Sequence, residues 1–594
     1  MENEELWIDG GYVRDTLVTT DYKDTSYALA ELIDNSIESA IENNIKCDCE
    51  IICIEKSLDL GNKTIKRVKE ILVYDNAGGM SPEVLKNSLR IQKGSRTNDE
   101  VVGKGKLGKY GIGLPQASIG NSDVVEIYSW REGKTFYHKL DKNELTNDIK
   151  TLIVPNPIEA EIPEKYKRLI KSEIKKSGTL VIWSDVKRAT WTTNKGLFKN
   201  AEDTLGRIFR NYINDGSVKI KLRAFEEFDN NYNLFREQTI RVNDPLYLMQ
   251  NSNFPSEKCD IFTEYNVKKM KVKHGGQESV VTIKFSFCTQ EARDKYSDEV
   301  SPQMRHLRKN IGVSICRAGR EITVSSSWNR GYDPTDRWWG CEIDFDKSLD
   351  NLMGVTKDKQ TIKHLKNCNL KVDAENAGLT EAEYTEDLEQ SDQNQTSIYE
   401  ISNFINSQLS TIRSLLSKQT AGSRGNKPGG RKSALATGKG VKKRVFAGYT
   451  APGDKPEMTE QDKAKSLEEQ LKESGYTDEQ IKEYVKYAIE KDLNYIYLSR
   501  NIPGTVLFDL LVDKNMKYIL INNSHPLYDY FYQIVENQDL KGEEEPDSLV
   551  SIRLLISSWI RMEEETPEEE RDKLIDVRAR WGLISKQFFN EVKK

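Results

Sequence analysis

No stretch of the 594-residue chain approaches the ~20 consecutive apolar residues that a membrane span needs, so no transmembrane helix is expected. The opening Met-Glu-Asn-Glu-Glu lacks the basic-then-apolar order of a secretory signal. The eight cysteines have no paired spacing, which points to a reducing compartment and a cytoplasmic location. No internal repeat is evident. Acidic residues are missing altogether between 401 and 453. That stretch still carries ten basic residues: Arg413, Lys418, Arg424, Lys427, Arg431, Lys432, Lys439, Lys442, Lys443 and Arg444. Past Asp454 the chain turns acidic, so the formal net charge of -6 hides an asymmetry that marks a boundary.

What is present reads as a soluble, multidomain chain. Hydrophobic residues make up 37% and charged residues 31%. The length is too great for one core and implies three or four domains. Residues 22–43 have helical spacing, with Leu29, Leu32, Ile33, Ile37, Ala40 and Ile41 on one face and Thr25 or Ser26 as the N-cap. Strand-like runs follow at 50–55, 70–75, 124–130, 135–140 and 179–183. More strands occur between 218 and 346, including 280–288, 311–317 and 341–345, and suggest a second α/β domain. A helix over 396–417 leads out of it. Residues 422–453, rich in Gly, Lys, Ser and Pro, read as a flexible linker. The remainder from about 458 is mainly helical, with one short strand at 518–521.

Three segments carry candidate chemistry. The first helix sets Glu31, Asp34, Asn35 and Glu38 opposite its apolar stripe, side by side at helical spacing. Alone, that pattern reads more readily as a solvated face. A buried strand then delivers Asp75 at its end, followed by Asn-Ala-Gly78-Gly79-Met80, where glycine permits a tight turn or close approach to a ligand. Third, Gly103 to Gly113 is a glycine-rich loop. Its Gly103, Gly105 and Gly108 spell a dinucleotide-binding string, and Gly103 to Lys109 nearly spell a P-loop, with Tyr110 at the Ser/Thr position. Both readings require a buried strand before the glycines, and the preceding 94–100 is polar. A glycine-rich lid running into a helix near Ile112, whose N-terminus faces phosphates, fits better.

These segments, followed by Ser177-Gly178-Thr179 opening a strand, resemble in order and kind the GHKL (Bergerat-fold) ATPase superfamily of gyrase, the large heat-shock chaperones, histidine kinases and MutL. The resemblance covers residues from about 20 to 190, and Ala77 departs from it where many members have glycine. It implies an α/β sandwich ATPase that binds ATP and Mg2+. Glu31 matches the general base, and Asn35 the magnesium ligand. Asp75 matches the adenine-selecting carboxylate, Gly79 and Met80 the turn against the base, and Thr179 the residue that supports Asp75. Gly108, Gly111 and Gly113 match the lid glycines.

A second likeness lies downstream. The run from Arg337 to Leu349, followed by Gly354-Val-Thr-Lys357-Asp-Lys359-Gln, is similar to the end of the transducer domain in gyrase- and microrchidia-like members. There a lysine reaches back to the γ-phosphate. Lys357 matches that catalytic lysine, with Lys359 as the rival. No topoisomerase breakage region follows residue 400, and the layout looks most like prokaryotic microrchidia-type ATPases.

The expected domains are thus an N-terminal arm (1–20), the ATPase (21–205), an α/β transducer (206–395), a helix with a basic flexible linker (396–457) and an acidic, mainly helical C-terminal domain (458–594). The resemblance implies an ATP-gated homodimeric clamp on DNA, acting in DNA modification or anti-phage defence. The basic residues from Arg424 to Arg444 are the physical support for a DNA partner, against the alternative of a solvated tether. A chaperone-like remodeller, or a switch recruiting an effector nuclease through the C-terminal domain, are the competing functions. Cys47, Cys49 and Cys53 read as small buried hydrophobes rather than zinc ligands. His525 reads as a structural histidine beside a turn proline.

Overall fold

The computed structural model describes residues 17–19, 22–59, 61, 63–89, 113–144, 156–229, 231–256, 261–274, 276–296, 301–330, 334–356, 358–390, 395–419, 431–451, 454, 458–502, 506–528 and 545–592. The first helix, α1 (Thr25–Glu42), is capped one residue earlier than its sequence suggests. Asp24 accepts from the N–H groups of Ser26 (2.7 Å) and Tyr27 (3.3 Å), satisfying two donors that the first helical turn leaves free. Its apolar stripe is buried except for Ile41, which is 53% exposed.

An eight-stranded sheet follows, in the order β5-β4-β3-β6-β2-β1-β7-β8. Its strands are β1 (Cys47–Asp59), β2 (Thr64–Asp75), β3 (Ser122–Arg131), β4 (Lys134–Asp141), β5 (Ile158–Glu159), β6 (Gly178–Val186), β7 (Val218–Phe228) and β8 (Asn231–Thr239). Alternation along the strands divides the core. Ile51, Cys53, Ile71, Val73 and Trp183 face α1, α2 (Gly113–Ile119) and α3 (Asn194–Ile208). Ile52, Ile54, Leu72, Tyr74 and Ile182 face the opposite way, against Ile162, Tyr166 and Leu169. The sequence boundary at 205 falls short of this sheet. β1 is apolar on both faces and needs a partner on each edge, and β7 supplies one in parallel register, Ile51 opposite Leu222.

A second sheet, ordered β12-β11-β13-β10-β9, is built from β9 (Phe262–His274), β10 (Gln277–Cys288), β11 (Val313–Arg317), β12 (Arg320–Ser325) and β13 (Trp339–Phe345). Helix α4 (Thr396–Gln419) covers one face with Ile398, Ile401, Ile405, Leu409, Ile412 and Leu416 at helical spacing. The other face meets the first unit through charge. Arg210, fully buried, donates to Glu321 (2.8 Å), Glu342 (2.5 Å) and Ser314 (2.7 Å). With every charge paired and hydrogen-bonded, such a network fixes the register of two units, whereas losing one partner strands the rest.

The expected linker is helical over its second half. Helix α5 (Arg431–Phe446) is rich in Ala, Lys, Arg and Val, and buries Ser433, Ala434 and Thr437 against the C-terminal unit. Four of its six basic residues are paired: Arg431 with Glu483, Lys432 with Asp547, Lys442 with Asp492 and Arg444 with Glu565. The C-terminal unit holds three strands rather than one short one: β14 (Tyr495–Arg500), β15 (Phe508–Asp513) and β16 (Met516–Asn522), in the order β14-β16-β15. Among its helices are α6 (Asp547–Glu565) and α7 (Glu568–Val592). No helix among the described residues is long and apolar enough to cross a membrane.

Candidate functional site

Asp75 ends β2 directly opposite Thr179, the second residue of β6. Its carboxylate is buried and accepts the Ala77 N–H at Oδ1 (2.9 Å) and the Ser36 hydroxyl at Oδ2 (2.8 Å). Burial pushes its pKa up to about 6, against the opposing pull of the hydrogen bonds from Ala77, Ser36 and Thr179. Each oxygen keeps a lone pair for a further donor, as an adenine amino group would require. The following turn is fixed by geometry. Gly79 has φ +66°, and a Cβ there would collide with the Trp130 carbonyl, so only glycine fits. Met80 N–H then donates to Ser129 Oγ (2.8 Å), whose hydroxyl lies 3.2 Å from Thr179 Oγ1. The small residue at 77 is buried and is used only through its N–H.

Helix α1 presents its polar face to this corner, and that face is not solvated. Glu31, Asp34 and Glu38 are all buried, and Ser36, one turn on from Leu32, ties the helix to Asp75. Asn35 is half-buried, and its amide makes no hydrogen bond to another described residue, so its oxygen is available to a cation. Gly113 opens α2 so close to the Glu31 carboxylate that a Cβ would overlap it. A larger residue here would push the Glu31 side chain aside.

The partner of Glu31 comes from the second unit. Lys359 Nζ lies 3.1 Å from Glu31 Oε2 and 3.3 Å from Asp34 Oδ2. Arg320, the first residue of β12, pairs with Asp34 (3.0 Å) and also donates to the Lys359 carbonyl (2.9 Å). Burial raises the Asp34 pKa, but Arg320 and Lys359 outweigh it and hold the carboxyl below its ordinary value. Lys359 itself sits in the left-handed region at φ +53°, unusual for lysine. Its neighbour Gln360 accepts the Lys23 N–H at 2.9 Å, which clamps the loop to the start of α1.

The resemblance to the transducer motif makes Lys357 the expected lysine and Lys359 its rival; Lys357 lies outside the described residues, as do Gly108 and Gly111. Ser36, Ser129 and Arg320 carry no sequence signal that sets them apart. Asp34 stands out on the polar helix face, but nothing nearby in sequence announces a partner 286 positions away. Away from the site, Cys47, Cys49 and Cys53 are buried on the helix-facing side of β1, and no metal-holding cluster occurs among the described residues. His525 is buried. Its Nδ1 accepts the Leu527 N–H (3.2 Å), so Nε2 donates to the Gly582 carbonyl (3.0 Å), which is a structural role.

Comparison with known proteins bears on this corner and α1. No curated protein matches the chain. Residues 22–179 match the family model of the histidine kinase-, DNA gyrase B- and HSP90-like ATPases. That span contains Glu31, Asn35, Asp75, Gly79, Gly113 and Thr179. With the mixed sheet and the buried acidic helix, it marks residues 22–179 as a GHKL ATPase domain.

Proposed function

We propose that the chain is a Mg2+-dependent ATP hydrolase whose second unit senses the nucleotide through the loop bearing Lys359. The observation that carries this reading is the Lys359 ammonium, delivered from the second unit onto Glu31 and Asp34 within the ATPase domain. Asp75 would orient adenine, and the turn at Gly79 would let the backbone approach the base. Asn35 would hold Mg2+, which supplies charge neutralisation for the triphosphate. Glu31 would take the proton of the attacking water. A γ-phosphate near α2 competes with Glu31 for Lys359, so nucleotide binding and release of the base are linked. Phosphate release by the full chain with Mg2+ and ATP tests the activity. Turnover that survives Lys359→Ala unchanged would remove the sensing role.

We further infer that ATP closes two copies into a microrchidia-like clamp on DNA, in DNA modification or anti-phage defence. Support comes from the motif order and the transducer-like second unit. The basic segment lends less support than its composition suggests, because four of its charges are paired within the chain. Docking of an effector protein on the C-terminal unit is the competing outcome. Salt-sensitive co-migration with duplex DNA, and sedimentation with and without ATP, discriminate the two.

A further inference from the structure

At the end of the first sheet farthest from Asp75 there is a cavity of about 330 Å³. Its walls are the last residues of β1, the first of β2 and the exit from β6, where the chain folds back. Val68 N–H donates to the Thr192 carbonyl (2.9 Å) and so holds the returning segment against β2. Four cations line it: Lys56, Arg67, Lys69 and Lys187. One acid, Asp185, accompanies them.

The arrangement of these charges is the informative part. Lys56 and Arg67 are register partners across β1 and β2, so two like charges stand directly opposite each other. Both side chains are exposed, so water screens much of the repulsion, and an anion between them would remove the rest. Elsewhere around the cavity the balance is met: Lys69 pairs with Glu227 (3.1 Å), and Lys187 with Asp123 (2.8 Å) and Asp185 (2.6 Å). Lys56 and Arg67 have no such partner among the described residues. Leu58 and Val186 add apolar surface beside them, while the Val68 side chain turns into the helix-facing core. A volume of this size lies at the small end of ligand pockets. Eight residue steps along an extended strand separate Arg67 from Asp75, roughly 27 Å, so this cavity is not part of the nucleotide site.

We propose that this cavity is a second anion site, taking a small molecule with two or more phosphate charges and an apolar portion. Lys56 supplies a point charge, and Arg67 a planar fork that matches phosphate oxygens. The ligand's body lies against Leu58 and Val186. The site stands on observations separate from the ATPase reading and does not depend on it.

Titration of the full chain with inorganic pyrophosphate, followed by calorimetry, tests the proposal. Wild type should show a binding component that weakens at least tenfold in the double variant Lys56→Gln/Arg67→Gln, while affinity for a non-hydrolysable ATP analogue stays the same. Arg67→Lys should retain part of that component. Lys56→Glu should abolish it and yet raise the melting temperature, because it turns a like-charge pair into an opposite one. Pyrophosphate binding that is absent, or indifferent to both residues, overturns the proposal. So does a site at Lys56 and Arg67 that responds to short duplex DNA but not to pyrophosphate, and so does a fall in melting temperature for Lys56→Glu. Loss of analogue binding in wild type would count against the ATPase reading alone.

Discussion

Lys359 and Glu31, 328 positions apart, form a buried ion pair with Nζ 3.1 Å from Oε2. The pair joins the second unit to the helix that carries the candidate base. Because Asp34 shares the same ammonium, removing it leaves two acids in a largely buried site with one cation fewer. Lys359→Ala should therefore destabilise the junction by about 3–5 kcal/mol, the usual result of stranding a buried charge. The retained Arg320–Asp34 pair puts the expectation at the lower end. Denaturant unfolding measures it. A variant as stable as wild type would mean that the pair is solvated and not structural.

Glu31→Gln keeps the volume and removes the charge. If Glu31 is the base, ATP and magnesium binding should persist, since Asp75 and Asn35 are untouched. Hydrolysis should fall by about 10²–10⁴-fold. The variant should also release Lys359 for the γ-phosphate, so that the ATP-bound form accumulates closed and sediments as a dimer. Equal turnover in variant and wild type would transfer the base role to another group.

Much of the first unit is legible in the chain. Strands with both faces buried are near-continuous apolar runs, as is the half of β2 that ends in Asp75; β1 is another, its sequence signal at 50–55 stopping three and four residues short of its ends, and the charged first half of β2 carries no such signal. The turn at Gly79 can be anticipated because a positive φ has few solutions. What escapes is everything set by distant pairing. Lys357 and Lys359 differ by two residues, and nothing in their sequence shows that Lys359, in a left-handed conformation at φ +53°, lies against α1. The β7–β8 pair looks like any hairpin, and its attachment to β1 depends on an open sheet edge. Helix α5 escapes because Gly, Lys and Ser also compose linkers; its acidic partners lie between 483 and 565.

Asp75 supplies a pH test with a definite sign. Its folded pKa, about 6, lies above the ordinary 3.8 because burial disfavours the ionised form. The stability it contributes is thus complete below the unfolded value and is lost as pH rises from about 4 to 6. Asp75→Asn abolishes that loss, so the variant should be more stable than wild type at pH 7.5, by about 1–3 kcal/mol. It should nevertheless bind ATP far more weakly, because an amide presents a donor where adenine also donates. In wild type, ATP affinity should fall as pH drops through about 6 and the carboxylate takes a proton. Melting curves and calorimetric titrations at both pH values check this. A destabilised variant, or pH-independent affinity, would show that Asp75 does not face the base.

The basic helix gives the sharpest test of a DNA partner, because its charges fall into two sets. Arg431, Lys432, Lys442 and Arg444 are held by Glu483, Asp547, Asp492 and Glu565. A phosphate would have to displace a carboxylate to reach them. Lys439 and Lys443 lie on the same helix, are largely exposed, and have no acidic partner among the described residues. Each DNA phosphate that a variant no longer neutralises should flatten the dependence of log K on log salt by about 0.9. Lys439→Gln/Lys443→Gln should therefore reduce the slope by nearly 2 if the segment grips duplex DNA. Gln at the four paired positions should leave the slope within about one unit of wild type, and instead lower the melting temperature of the C-terminal unit slightly. Filter binding over a salt series reads the slopes directly. If the paired set changes the slope and the free set does not, then DNA opens those ion pairs and the helix moves on binding. If neither set changes it, this segment does not touch DNA, and any clamp must grip it elsewhere.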